Sequence, residues 1–391
     1  MAKLIILVGL PGSGKSTYAK EFARTHADAF VFSSDEYRER LLHDVNDQSQ
    51  NELVFKTLYA EARKCLEQDC TAIIDATNMT RKSRRRCLEK FKDMNILREC
   101  HIIPTFFDVC IERDAARDRT VGEEVIRRMT ASFEVPMLFE GFDEIVIPEM
   151  GELVYHKERW HDIADRMRMF DQKNKHHKFT LWNHCQNVYD CMIEELKQED
   201  RSTIENNNLI AACVYHDVGK LYTQTIDEEG QGHYYCHANY SALWILGAGL
   251  TGYVYNDLEI AFYAGEHMHI RDIVRGKTET INKYRELFGP ILFSNLLLLM
   301  NCDNFGAKHN VYDVLDRYQD IEILEVTSGR WQGITSVIIS WAAPDMGAGE
   351  YTIYIKEDGT LEADTEYMDG PRLKFFTRAI MKKFAERITI I

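Results

Sequence analysis

One short segment constrains this chain more than any other. Gly9-Leu10-Pro11-Gly12-Ser13-Gly14-Lys15-Ser16 follows an apolar run, Leu4–Val8, and opens an amphipathic stretch, Ser16–Thr25. Glycines at that spacing let backbone N–H groups wrap a phosphate chain, and a strand before and a helix after provide the required context. Gly9, Gly12, Ser13, Gly14, Lys15, Ser16 and Thr17 are therefore the expected nucleotide-binding residues. Lys15 is expected to reach the β and γ phosphates, and the Ser16 hydroxyl to ligate Mg²⁺. The expected cofactor is ATP, or another nucleoside triphosphate, with Mg²⁺.

Short apolar runs alternate with amphipathic segments to about residue 150. Phe30–Phe32, Ala72–Asp75, Ile102–Phe107 and Ile145–Ile147 read as further strands. Asn51–Gln68 and Arg81–Lys92 read as helices. Such alternation predicts an α/β unit with a helix-covered parallel sheet. Long helical stretches then dominate to about residue 320: Thr180–Lys197, Glu205–Tyr215, Tyr240–Ala248, Asp257–Ala264 and Phe288–Cys302. From Ile321 the period becomes two, with strands expected at Ile321–Val326, Ser336–Ser340 and Tyr351–Ile355. Glu357-Asp358-Gly359 reads as a turn and Pro371–Arg387 as a helix. The expectation is a multidomain chain: an α/β domain over residues 1–150, an all-α domain over 151–320 and a small α+β domain over 321–391.

Composition narrows the function classes. The 391 residues carry a net charge of -15, of which only -4 falls on the first 150. The N-terminal part is thus the better place for a polyanionic substrate. No apolar run approaches the roughly 20 residues that span a bilayer, and the N-terminus lacks a signal-peptide pattern. A cytoplasmic protein without a membrane partner is expected, in the host cytoplasm if the protein is viral. Ten cysteines without paired spacing read as buried thiols rather than as a metal or redox motif.

The phosphate acceptor must be read from other segments. In Ser33-Ser34-Asp35-Glu36-Tyr37-Arg38, a carboxylate at a strand end can take a proton from an attacking hydroxyl, and an arginine can hold a substrate phosphate. The same residues could equally begin a surface helix. Ile73-Ile74-Asp75-Ala76-Thr77-Asn78 suits a Mg²⁺-side carboxylate. The run Arg81-Lys82-Ser83-Arg84-Arg85-Arg86 is either a solvated helix face or a contact for nucleic-acid phosphate. Arg113, Arg117, Arg119, Arg127 and Arg128 fall within sixteen residues, as in a segment that closes over a transferring phosphoryl group.

Residues 1–150 resemble the kinase domain of the T-even bacteriophage polynucleotide kinase–phosphatases. The matching pieces are Gly12–Thr17, Asp35 with Tyr37-Arg38, Asp75 with Thr77-Asn78, and Val125-Ile126-Arg127-Arg128-Met129. The resemblance implies that Asp35 is the general base on a 5′-hydroxyl and that Arg38 grips the acceptor's phosphate. It makes Arg127 the stabiliser of the transferring phosphate, with Arg128 as substitute. The Asp-x-Asp-Gly-Thr motif of those enzymes' phosphatase domain is absent, so the second half must do other chemistry or none.

Histidines crowd that second half. His216-Asp217 ends an apolar stretch, His184 lies upstream, and His233, His237, His267, His269 and Asp303 follow. Such donors suit Mn, Fe, Co, Ni or Zn. Their order resembles the HD-superfamily metal phosphohydrolases. Gly219-Lys220-Leu221-Tyr222-Thr223 and Gly232-His233-Tyr234-Tyr235-Cys236-His237 are similar to the HD domains of bacterial tRNA nucleotidyltransferases, which act on 2′,3′-cyclic phosphates. The resemblance implies a first metal on His184, His216, Asp217 and Asp303, and a second on Asp217, His237 and His267. His269 competes for the place of His267, and one metal in place of two stays open. Lys220 would lie over the phosphate, and His233 would orient.

A 5′-kinase and a phosphate-removing hydrolase on one chain suggest RNA end healing. The pairing resembles the bacterial HD–polynucleotide kinase fusions with the domain order reversed. Expected substrates are RNA ends, tRNA included, or DNA ends, with an RNA ligase acting downstream. Two alternatives stand beside this: a nucleoside or nucleotide kinase joined to an HD nucleotidase, and a nucleotide-gated binding protein with a degenerate HD pocket.

Overall fold

A computed structural model describes residues 1–117, 119–148, 160–174, 179–197, 202–249, 256–307 and four strands between residues 322 and 363. The expected helix at 371–387 and turn at 357–359 lie outside the described residues.

β1 (Lys3–Val8), β2 (Ala29–Ser33), β3 (Thr71–Asp75), β4 (Leu97–Ile102) and β5 (Glu144–Val146) form one sheet in the order β2-β3-β1-β4-β5. All its pairings are parallel. β1 lies at the centre, and Leu4 through Val8 are fully buried. An unbroken apolar run is what a strand covered on both faces requires. Helices α1 (Lys15–Thr25), α2 (Ser34–Leu42), α3 (Asn51–Leu66), α4 (Arg81–Glu89), α5 (Phe107–Ala115) and α6 (Glu123–Ala131) connect and cover it.

The fourth strand corrects the expectation for Ile102–Phe107. That apolar run holds only the last residue of β4 and the first of α5. The strand itself contains Glu99 and His101, polar residues that are buried because they are paired. Glu99 meets Lys3, His101 Nε2 lies 2.9 Å from Glu99, and His101 Nδ1 lies 2.6 Å from the Tyr18 hydroxyl. Internal pairing disguised the strand as a polar segment.

The helical unit contains α7 (Trp160–Met169), α8 (Leu181–Leu196), α9 (Thr203–Tyr215), the single turn α10 (Lys220–Thr223), α11 (His237–Ala248), α12 (Asp257–Val274), α13 (Thr278–Phe288) and α14 (Pro290–Gly306). A short hairpin, β6 (Gln224–Ile226) with β7 (Gly232–Tyr234), precedes α11. Local chemistry sets the starts: Thr180 accepts from the Asn183 amide, and Ser202 forms a capping box with Glu205. α12 runs three turns beyond the expected end at Ala264, because Ile270 and Ile273 continue its buried face among polar neighbours. The stretch expected at Phe288–Cys302 breaks at Gly289, whose φ of +83° and following Pro290 separate α13 from α14.

Beyond residue 321, β8 (Glu322–Trp331), β9 (Ile334–Ala343), β10 (Gly347–Ile355) and β11 (Leu361–Ala363) form an antiparallel sheet in the order β11-β10-β9-β8.

The α/β and helical units share one continuous apolar core. Phe106 and Phe107 meet Tyr222, Phe107 meets Tyr240 edge-on, and Asn239 Nδ2 donates to the Phe133 carbonyl at 2.7 Å. The basic run at 81–86 is split by its helix period. Arg84 is fully buried in a two-pronged pair with Glu140, at 2.8 and 2.7 Å. Arg81 pairs with Glu266 of α12, whereas Lys82, Arg85 and Arg86 are exposed. The run is thus partly an internal joint and only partly a solvated face.

Candidate active sites

The glycine-rich turn joins β1 to α1. Gly12 has a φ of +84°, and a Cβ there would fall 2.5 Å from the Cys110 carbonyl oxygen. Gly14 caps α1 at a φ of +96°. Both conformations favour glycine and bring backbone N–H groups around the α1 terminus. The end of β3 braces the turn: the Gly9 amide donates to the Thr77 carbonyl at 3.1 Å, and Asn78 Nδ2 to the Leu7 carbonyl at 2.9 Å. Asp75 is buried, and its Oδ1 has no hydrogen-bond partner.

A cleft of about 1340 Å³ runs from Gly12, Gly14, Lys15, Ser16 and Thr17 past Asp75 to Asp35 and Arg38. Asp35, at the start of α2, accepts from Arg38 Nη1 at 2.8 Å and faces Arg119 Nη1 at 3.4 Å. Asn51 Oδ1 receives the other edge of Arg38, with Nη2 at 3.1 Å. Burial lowers the Arg38 pKa and Asp35 opposes that shift. A buried guanidinium and an exposed carboxylate at one end of a phosphate-binding cleft can hold an anion and accept a proton beside it.

Arg117 and Arg119 line this cleft, as does Arg128. Arg127, the residue expected to face the phosphoryl group, instead lies over the Phe107 ring at 4.7 Å and pairs with Glu123 at 2.7 Å. Successive helical residues point about 100° apart, so α6 can present only one of the two arginines to the cleft. Of the two, Arg128 is the one that lines the cleft. Gly9 and Ser13 support the turn from behind, Ser13 being fully buried.

The second constellation lies inside the helical unit. Its ligand candidates come from four helices and from the turn between α9 and α10. His184 sits on α8, His237 on α11, His267 on α12 and Asp303 on α14, with His216 and Asp217 directly after α9. Asp217 faces two ways. Oδ2 lies 3.1 Å from His184 Nε2 and 3.3 Å from His216 Nε2, while Oδ1 lies 3.1 Å from His237 Nε2 and 3.7 Å from His267 Nε2. Asp303 Oδ1 joins the first group, 3.2 Å from His184 and 3.7 Å from His216. His184, His216 and Asp217 form one cluster of metal-ligand spacing, and Asp217, His237 and His267 form another.

The histidine rings are aimed from behind. Nδ1 of His216, His237 and His267 lies 2.9, 2.7 and 2.6 Å from the carbonyls of Cys213, Tyr234 and Ala264. A protonated Nδ1 on each carbonyl leaves the Nε2 lone pair facing Asp217. Asp217 Oδ1 and His216 Nε2 are buried without a hydrogen-bond partner. Inward nitrogens around a shared carboxylate fit a transition-metal ion.

The cluster is strongly electronegative. Burial disfavours charge on His216, but Asp217 and Asp303 outweigh it and raise the pKa to about 10, so a metal ion bound here would have to displace the proton that these carboxylates hold on the ring. Burial also opposes ionisation of Asp217 and Asp303, yet Lys220 and His216 hold Asp217, and Arg271 and His184 hold Asp303, well below the usual range. Two buried carboxylates thus stay charged and draw cations towards them.

Lys220 is buried, with Nζ 2.7 Å from Asp217 Oδ2 and 2.9 Å from Gln172 Oε1. His269 points away from Asp217 and lies 2.8 Å from Glu266. His233 lies on β7 and pairs with Asp227 at 2.7 Å. Arg271, bonded to Asp303 Oδ2, was not anticipated. Its signal was its place four residues after His267, on the same helix face, in a helix expected to end earlier. Gln172 had no signal.

Residues 4–136 match the model of a family described as AAA domain. The L-seryl-tRNA(Sec) kinase of Methanococcus maripaludis is 31% identical over 143 residues, which is 34% of this chain and 53% of that protein. The chain therefore spans about half the length of this curated relative. A chain of the Pnkp1/Rnl/Hen1 RNA repair complex is 25% identical, with a TM-score of 0.31, over 33% of this chain and 42% of its own. A fungal RNA kinase is 10% identical, with a TM-score of 0.31, over 93% and 81%. Among the described residues no helix is long and apolar enough to cross a membrane.

Proposed function

We propose that this chain heals RNA ends with two active sites. One phosphorylates 5′-hydroxyl ends from ATP, and the other hydrolyses 2′,3′-cyclic phosphate or 2′/3′-phosphate ends. The observation that carries the reading is the occurrence of two separate phosphate-handling constellations on one chain, around Lys15 and around Asp217. Ribonucleases that cut by 2′-hydroxyl attack leave a cyclic phosphate and a 5′-hydroxyl, and a ligase needs the opposite pair. The relative named as a seryl-tRNA kinase acts on a group carried by an RNA, which supports an RNA-borne acceptor.

In the first site, Lys15 and the backbone of residues 12–16 would bind the donor phosphates. Asp35 accepts the proton of the attacking 5′-hydroxyl, and Arg38, steadied by Asn51, holds the phosphate 3′ of that sugar. Arg128 and Arg119 face the transferring group. Mg²⁺ held by Ser16 and the nucleotide would neutralise the phosphate charge.

In the second site, His184, His216, Asp303 and Asp217 would hold one divalent ion, and His237, His267 and Asp217 another. Mn, Fe, Co, Ni or Zn there would activate water and neutralise the phosphoester. Lys220 fixes one Asp217 oxygen, and Arg271 fixes Asp303. The proposed domains are 1–150, 151–320 and 321–391, in a cytoplasmic enzyme that feeds an RNA ligase.

The test uses RNA oligonucleotides bearing a 5′-hydroxyl and a 2′,3′-cyclic phosphate, with ATP, Mg²⁺ and Mn²⁺. Both ends should change in the same tube. Equal phosphorylation of free nucleosides would replace this reading with one in nucleotide metabolism.

A further inference from the structure

Helix α12 separates two environments. His267 faces Asp217 on one side. Gly265, Glu266, Met268 and His269 line a second cavity of about 410 Å³, within the roughly 300–1,000 Å³ of small-molecule sites. The facing wall is Phe133, Glu134 and Val135 of the α/β unit, and the turn 234–239 closes one end. His237 opens α11 at the end of that turn and lines the cavity, so the cavity abuts the Asp217 cluster.

The cavity is built into the joint. Asn239 binds the Phe133 carbonyl, and a Cβ on Gly265 would lie 3.3 Å from Ala242 Cβ and 3.7 Å from Val135 Cγ2. Cys236 takes a φ of +60°, a conformation that few non-glycine residues adopt. That bend leaves Tyr235 exposed by 73% and parallel to the His233 ring, with an interplanar angle of 6°. Two residues on, His237 turns in to Asp217. One turn therefore offers an aromatic face and a cluster ligand together.

Charge decides what fits. Among the described residues no lysine or arginine lines the cavity, whereas Glu134, Glu266 and Asp272 do. Glu266 is matched by Arg81 and His269. A phosphate backbone is repelled here, while the N–H edge of a base finds acceptors and its π-face finds Tyr235.

Resting on the hydrolase reading, we propose that this cavity is the nucleoside subsite of the phosphoester site. The base packs against Tyr235 and the sugar lies beside His237, which delivers the terminal phosphate to the Asp217 cluster. Residues 133–135 of the kinase unit complete the subsite, so nucleotide hydrolysis depends on both units.

The full-length protein, loaded with Mn²⁺, is assayed on adenosine 2′,3′-cyclic monophosphate and on bis(p-nitrophenyl) phosphate, which lacks a nucleoside. Binding of adenosine alone is measured by calorimetry. Tyr235→Ala should raise KM for the cyclic nucleotide about tenfold, and lower its kcat/KM relative to the generic ester by the same factor. Adenosine binding should weaken in parallel, and Val135→Phe should act likewise from the kinase side. An unchanged ratio in both variants, or wild type that does not bind adenosine, overturns the subsite while the hydrolase reading stands. Wild type that hydrolyses neither ester overturns that reading and the subsite with it.

Discussion

Arg81 of α4 and Glu266 of α12 join the two units through a buried ion pair, with 2.8 Å between Nη2 and Oε1 and 9% exposure on each side chain. The residue after Glu266 is His267, 3.7 Å from Asp217. The pair therefore anchors the helix that supplies one wall of the metal-type cluster. Arg81 also faces Glu134 and Glu140, and Glu266 also meets His269, so each charge is shared.

Arg81→Met should destabilise the protein by about 1–3 kcal/mol, because it leaves the buried Glu266 charge with His269 as its remaining partner. Arg81→Met combined with Glu266→Met should recover much of that loss. Urea unfolding midpoints of the two variants check this. Equal destabilisation in both would show that packing, not the stranded charge, dominates.

Lys15→Ala should abolish 5′-phosphorylation and spare cyclic-phosphate hydrolysis, and Asp217→Ala should do the reverse. The two sites share no ligand. Asp217→Ala should also release bound transition metal, because among the described residues Asp217 is the one carboxylate facing both groups of histidines. Metal content by mass spectrometry and both end reactions on one RNA test it.

Asp35→Asn should keep ATP binding and lower phosphoryl transfer by about 10²–10⁴-fold. The amide keeps the shape and the contact from Arg38 but cannot take the proton. Single-turnover rates at saturating ATP separate the two effects, and near-wild-type transfer would remove Asp35 from this role.

Arg128→Ala should cost about 10²-fold in kinase turnover, the scale of losing one charge-stabilising donor. Arg127→Ala should cost far less, because Arg127 packs on Phe107 away from the cleft. Reversed costs would mean that α6 rotates when substrate binds.

His269 has its pKa raised, chiefly by its bond to Glu266. Its contribution to stability is therefore fully present below its ordinary value of 6.5 and lost as pH rises through the higher folded value. With the side chain 41% exposed, the effect is about 1 kcal/mol or less. His269→Asn should flatten this alkaline loss in thermal melts between pH 6 and 9. Glu266, held low by His269 and Arg81 against the effect of burial, gives the opposite dependence, with stability lost as pH falls below its ordinary 4.5.

The sequence by itself determined what local chemistry can specify. A glycine spacing that only a tight turn accepts marked the phosphate loop, and the apolar run Leu4–Val8 marked a buried strand before it. The long helical stretches and the dense histidines marked the helical unit. Tertiary structure alone decided which charges are structural. Arg84 looked like one of five similar cations, yet it is the fully buried one, because Glu140 arrives from 56 residues away to neutralise it. Glu99 and His101 hid a strand for the same reason. The choice between Arg127 and Arg128, and between His267 and His269, depends on which helix face meets a partner. That face is fixed by packing against elements distant in sequence, a quantity that no local spacing contains.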